Sequence, residues 1–166
     1  EHRTFKYFKE ETLLHYAEQY GWRLIDDSNR KDLFMDMIRQ MDMSYSYKPV
    51  LIKAVLQYAD TKGRIKLEDI VAYFRAYYEG RRAAGLMVEK PRSIFARGGY
   101  TDKEAERNIL ANPFKRFEDM QMLRHTKTLG IIQVDEAVLR HLSDEEKAEI
   151  GRICDEKLAA YYRRLR

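Results

Sequence analysis

Residues 112–134 read NPFKRFEDMQMLRHTKTLGIIQV, and the fold turns on how they divide. Asn112 stands where a helix cap belongs, and Pro113 where a first-turn proline is tolerated because its missing N–H has no intrahelical partner there. Phe114, Phe117 and Met120 follow as the packing side of a short helix. Met122 to Thr126 and Ile131 to Val134 then favour strands, joined by the turn Lys127-Thr128-Leu129-Gly130. A short basic helix set directly against a basic hairpin is the expectation.

The same division extends outward. Thr101 with Glu104 forms a capping box that opens a helix over 102–111, with Ala105, Ile109 and Leu110 on its apolar side. Pro113 stops it, because a helix interior accommodates neither the ring nor the lost N–H. Two helices meeting with almost no linker make a helix–turn–helix. Upstream, Pro49 lies in the first turn of a helix whose stripe is Val50, Leu51, Ala54, Val55 and Tyr58, and Ser44 and Ser46 read as its caps. A turn at Asp60–Gly63, a brief strand from Arg64 to Leu67 and a helix turning Ile70, Val71, Tyr73, Phe74 and Tyr77 inward come next. Residues 80–101, punctuated by Gly80, Gly85, Pro91, Gly98 and Gly99, read as a mobile or extended connection after a helical prolongation through Ala84.

The ends are helical. Residues 4–20 place Phe5, Phe8, Leu13, Tyr16 and Tyr20 roughly on one side, with Gly21 as C-cap. After the link Trp22 to Ile25, Asp27 or Ser28 caps a helix carrying Leu33, Phe34, Met37, Ile38 and Met41, whose methionines read as core filling rather than a promiscuous groove. Asp135 starts another helical segment, and Ser143 caps the last helix, with Ile150, Ile153, Leu158 and Tyr161 inward. The fold class is therefore mainly α with a small β hairpin. A winged helix-turn-helix core over 46–142 is flanked by an N-terminal helical extension, 1–45, and a C-terminal helix, 143–166, packing on the same core. In such a domain a helix enters the major groove while the wing lies along the backbone or a neighbouring groove.

Charge points the same way. The chain of 166 residues is 45% apolar, 35% charged and 12% aromatic, with a net charge of +4. Between Arg81 and Thr128 eleven Lys/Arg face six acids, whereas the remainder holds 20 basic against 21 acidic residues. Such asymmetry suggests a polyanionic partner, double-stranded DNA being the expected one. The candidate contacts are Lys103 and Arg107 from the first helix, Lys115 and Arg116 from the second, and Arg124, His125 and Lys127 on or near the wing. Two other readings stand beside this one: ion pairs with Glu104, Glu106, Glu118 and Asp119 on a solvated face, and the use of winged helices to dock proteins.

Catalytic motifs are missing. Neither G-x-x-x-x-G-K-[ST] nor G-x-G-x-x-G occurs, and His2, His15, His125 and His141 have no partner at metal-ligand spacing, so neither cofactor nor metal is expected. Glu145-Glu146-Lys147 and Asp155-Glu156-Lys157 match a nuclease pattern by letter only. The single cysteine, Cys154, excludes an internal disulfide and reads as a buried thiol. No apolar run approaches the ~20 residues needed to span a bilayer, and no signal-peptide pattern is present, so a cytoplasmic setting and no membrane partner are expected. The chain opens on Glu1 rather than Met, which suggests a piece of a longer protein whose other part holds the chemistry.

MDMSYSYKPVLIKAVL (41–56), GRIKLEDIVAYFRAYYEGRRAAGL (63–86) and ERNILANPFKRFEDM (106–120) resemble the C-terminal accessory region of bacterial superfamily II helicases of the DEAD/DEAH, restriction-subunit type. The resemblance covers roughly Met41 to Leu142. It implies an ATP-driven DNA motor in the same full-length chain, a role in defence or DNA processing, and a nuclease subunit as a further partner. Its signature positions here are Asn112, Pro113, Lys115, Arg116 and Glu118. The motor's motifs and an HNH triad are absent from these residues, so the expected function is a noncatalytic DNA-binding or DNA-positioning module, with a protein-docking module as the alternative.

Overall fold

The computed structural model describes residues 10–21 and 29–165, with side chains from His15 onward. The expected packing of Phe5, Phe8 and Leu13, the link Trp22 to Ile25 and the caps Asp27 and Ser28 lie outside the described residues. The described helices are α1 (Glu10–Tyr20), α2 (Arg30–Arg39), α3 (Tyr47–Tyr58), α4 (Leu67–Ala83), α5 (Ile94–Arg97), α6 (Asp102–Ile109), α7 (Lys115–Asp119), α8 (Glu136–Leu139) and α9 (Asp144–Arg164). Three strands, β1 (Arg64–Lys66), β2 (Leu123–Thr126) and β3 (Ile131–Val134), complete a mainly helical fold.

α3 is apolar around most of its circumference, as a helix enclosed by neighbours must be. Val50, Leu51, Ile52 and Ala54 are essentially inaccessible, and α3 packs against both α4 and α9. From α9, Ile150, Ile153, Cys154, Leu158, Tyr161 and Tyr162 are buried, and α2 packs against α8 and α9. A single hydrophobic core therefore runs from Phe34 on α2 to Tyr162 on α9. Tyr58, expected in the α3 stripe, is 40% exposed, and on α4 Tyr78, at 0%, is the fully buried tyrosine in place of Tyr73 or Tyr77. Its ring stacks on Phe95 with centroids 4.5 Å apart.

The expected hairpin is a three-stranded antiparallel sheet in the order β1-β3-β2. β1 pairs with β3 through Arg64↔Gln133, Ile65↔Ile132 and Lys66↔Ile131. β2 pairs with the other edge of β3 through Leu123↔Val134, Arg124↔Gln133, His125↔Ile132 and Thr126↔Ile131. Burying Ile65, Ile132, Leu123 and Val134 on one face fixes that register, because a one-residue slip would turn all four to water. Gly63 makes the start of β1 possible. Its φ is +72°, and a Cβ there would stand 3.1 Å from the Val134 carbonyl oxygen.

The junction between α6 and α7 departs from the expected cap. Residues 110–114 form a wide helical turn broken at Asn112, which is extended (φ −165°, ψ 114°), and no side-chain hydrogen bond from Asn112 caps α7. The peptide between Asn112 and Pro113 is cis. Pro113 and Phe114 are buried at this bend, so the two helices meet through apolar contact rather than through a capping side chain. Thr101 and Ser143 do form the expected capping boxes with Glu104 and Glu146.

Residues 84–101, whose glycines suggest a mobile or extended connection, are anchored. Ser93, Phe95 and Tyr100 are all buried, and so is the carboxylate of Glu89. The Arg82 guanidinium donates to the carbonyls of Phe95 (2.6 Å) and Ala96 (3.3 Å), closing the C-terminal end of α5. Ser46, expected as a cap for α3, makes no side-chain cap; its hydroxyl donates to Glu89 instead. Among the described residues no helix is long and apolar enough to cross a membrane.

Candidate nucleic-acid interface

A sheet with one buried face must show its other face elsewhere, because alternate side chains point to opposite sides. On that outer face the pairing sets Arg64, Gln133 and Arg124 in one row across β1, β3 and β2, and Lys66, Ile131 and Thr126 in the next. Adjacent strands lie about 4.8 Å apart, so the backbones of Arg64 and Arg124 are separated by roughly 10 Å across the sheet. No acid occurs in any of the three strands, whose sequences are RIK, LRHT and IIQV. Arg64, Lys66 and Arg124 are exposed.

Local anchors hold two of these cations. Asp60 accepts hydrogen bonds from the backbone N–H groups of Lys62 (2.8 Å) and Arg64 (2.9 Å) and pairs with the Arg64 guanidinium at 2.9 Å. Those bonds, led by the Arg64 backbone, hold its carboxyl below the usual value of 3.8. Lys66 stands 3.5 Å from Glu68, a loose and well-exposed pair. Arg124 makes no ion pair or hydrogen bond among the described residues. It borders a polar cleft of about 530 Å³ lined by cations and acids alike, Arg30, Arg140, Glu118, Asp135 and Glu136 among them.

The seven residues expected to share one surface are divided by the tertiary structure. Lys103 borders a groove between α4 and α6 with Glu68, Arg75 and Glu106. His125 and Lys127 border an adjoining groove that Glu68, Glu106 and Lys66 also line, so these three candidates fall along one band. His125 packs its ring edge-to-face against Phe114, with centroids 6.0 Å apart. Arg107 is exposed on α6. Arg124 points to the opposite side of the sheet from His125, as strand alternation demands. Arg116 borders a third groove with Met37, Met41 and Lys48 on the α2–α3 side, where its charge helps hold Asp42 low after the larger effect of Lys48.

Lys115 is neutralised: its ammonium lies 2.5 Å from Asp119 and 3.4 Å from Glu118. The Asp119 hydrogen bond is the main cause of its raised pKa. The expectation that a short helix and the hairpin together gather the positive charge is thus corrected. α7 pairs off its lysine and turns its arginine elsewhere, while the sheet contributes Arg64 and Lys66, which lie outside the basic segment 81–128. The signal for them was present in the sequence as three strand segments without an acid. It could not be used before β1 was known to pair with β3.

The nuclease-like letters are likewise engaged in structure. Glu146 accepts from Ser143 N–H (2.9 Å) and pairs with Lys31 (2.9 Å), and Asp155 pairs with Lys53. Among the described residues no three His, Cys, Asp or Glu side chains stand together as a metal site. Comparison of the chain with protein-family models, curated proteins and solved structures finds no match.

Proposed function

We propose that this chain is a noncatalytic nucleic-acid-binding module that positions duplex DNA within a larger DNA-processing enzyme. The observation that carries the reading is the outer sheet face with Arg64, Gln133 and Arg124 in register on strands that contain no acid, Arg64 being held in place by Asp60 from the preceding turn. Arginine at such a face suits phosphate through its planar fork of donors, and Gln133 adds an uncharged donor between the two. The helix–strand–helix–helix–hairpin order, with β1 closing on β3, supports a winged helix assignment for the centre of the chain. The resemblance of roughly Met41 to Leu142 to helicase accessory regions supports a motor enzyme as the context.

Phosphate contacts release counterions, so affinity falls with salt at a slope of about 0.9 per contact. Titration of labelled duplex DNA between about 50 and 200 mM salt tests the reading. The expected result is a log–log slope near −3, reduced by about one unit in Arg124→Ala and again by about one in Arg64→Ala. A salt-independent or absent interaction overturns it.

One feature favours protein docking as a second reading. Leu33, Met37 and Met120, above the buried Met41 and Phe117, border a groove of about 350 Å³ rimmed by Arg116 and Asp42. Flexible methionines beside a charged rim suit the apolar face of a partner helix. Met37→Asp would then abolish capture of that partner while leaving the DNA salt slope unchanged.

A further inference from the structure

The groove between the 127–130 turn and α6 has a volume of about 650 Å³, within the range of small-ligand sites. Its composition suits neither a plain phosphate site nor a core defect. Leu129 is the most exposed large apolar side chain among the described residues, at 68%, held out at the tip of the turn by Gly130 in the left-handed region (φ +59°). Leu110 of the α6–α7 bend and the ring of His125 border the same space. Lys66 and Lys127 rim it, with Glu68 3.5 Å from Lys66 in a loose, exposed pair. Glu106 enters from α6 as an exposed carboxylate with no ion pair or hydrogen bond among the described residues.

From this we infer that the groove takes one unpaired base, flipped or bulged from a bound strand, and prefers a base bearing an exocyclic amine. The inference rests on the nucleic-acid reading and adds to it a class of substrate. Three features lead there. The apolar tip at Leu129, with Leu110 and His125 behind it, offers surface against which a flat base excludes water. The two lysines at the rim supply charge for the flanking phosphates of that nucleotide, and Lys66, at the end of β1, borders both the groove and the outer sheet face. Glu106 decides between base and phosphate: a carboxylate repels phosphate but accepts from an amino group, as acidic side chains do from cytosine N4.

The test compares a blunt DNA duplex with the same duplex carrying one bulged cytosine, each bound to the intact chain at two salt concentrations. The bulged duplex is expected to bind about tenfold more tightly. Leu129→Ala and Glu106→Gln should each remove most of that preference while preserving blunt-duplex affinity and salt slope. Both positions are exposed, and equal melting temperatures would establish that both variants fold. A bulged thymine should be preferred less than cytosine. Equal affinity for both duplexes with a steep salt slope overturns the groove assignment and leaves the binding reading standing, as does a preference that survives in Leu129→Ala. Absence of salt-dependent binding to either duplex overturns both.

Discussion

Glu89 and Ser46, 43 positions apart, are joined by two hydrogen bonds: one carboxylate oxygen accepts from the Ser46 amide (2.8 Å) and from its hydroxyl (2.5 Å). The other oxygen accepts from the Lys90 amide (2.8 Å) and the Tyr161 hydroxyl. With its own proton committed to Glu89, the Ser46 hydroxyl must accept from Tyr78, 2.7 Å away. The 84–101 connection, the start of α3, α4 and the end of α9 are thereby tied at one buried point. Glu89→Ala leaves these donors without an acceptor, and a loss of about 3 kcal/mol is expected in urea unfolding. A loss below about 1 kcal/mol would mean that water replaces the carboxylate.

Lys115 and Arg124 should differ sharply as contacts. Two carboxylates already surround Lys115, whereas Arg124 is uncommitted among the described residues. Lys115→Ala is expected to leave duplex affinity within about twofold at moderate salt, and Arg124→Ala to weaken it by about fivefold or more. Fluorescence anisotropy of the two variants under one buffer decides the matter, and equal losses would return α7 to the interface.

The α9 capping box predicts an acid-sensitive element. The Ser143 amide, then Lys31, lowers the Glu146 pKa below its usual 4.5. A depressed folded value means that the stabilisation is complete above 4.5 and is lost as pH falls through the lower folded value. Glu146→Gln should therefore flatten the fall in melting temperature below about pH 4.5, and Ser143→Ala should cost about 1 kcal/mol at neutral pH.

Gly63 predicts a backbone effect. Its φ is positive, and an alanine Cβ would stand only 3.1 Å from the Val134 carbonyl oxygen, so the β3 backbone would have to give by a few tenths of an ångström. Gly63→Ala is expected to cost about 1–2 kcal/mol and to loosen the β1–β3 pairing, seen as faster amide exchange at Val134, whose N–H donates to the Gly63 carbonyl at 2.8 Å.

Cys154 predicts a silent thiol. It is fully buried on α9, and burial pushes its pKa up to about 12. Alkylation at about pH 8 should proceed only at the rate of unfolding, and fast labelling without denaturant would contradict the packing of α9 on α3.

Much of the helical framework was legible because its signals are local. Thr101 with Glu104 and Ser143 with Glu146 are three residues apart, and the stripes of α3 and α9 repeat within a turn or two. The strands β2 and β3 are joined by four residues, so their hairpin was readable too. What the sequence determined by itself was thus the long helices, the capping boxes at Thr101 and Ser143, and an acid-free pair of hairpin strands. Neither α5 nor the fate of Asn112 and Ser46, which cap nothing, was legible in it. The tertiary structure decided the rest. Pairing β1 to β3 joins residues far apart along the chain, Arg64 to Gln133 among them, and only that register gathers three cations on one face. It also buried Glu89 and gave Lys115 to its neighbours. Local propensity acts over one turn or one pair, whereas charge clustering and burial depend on which distant surfaces meet, and that choice belongs to the hydrophobic core as a whole.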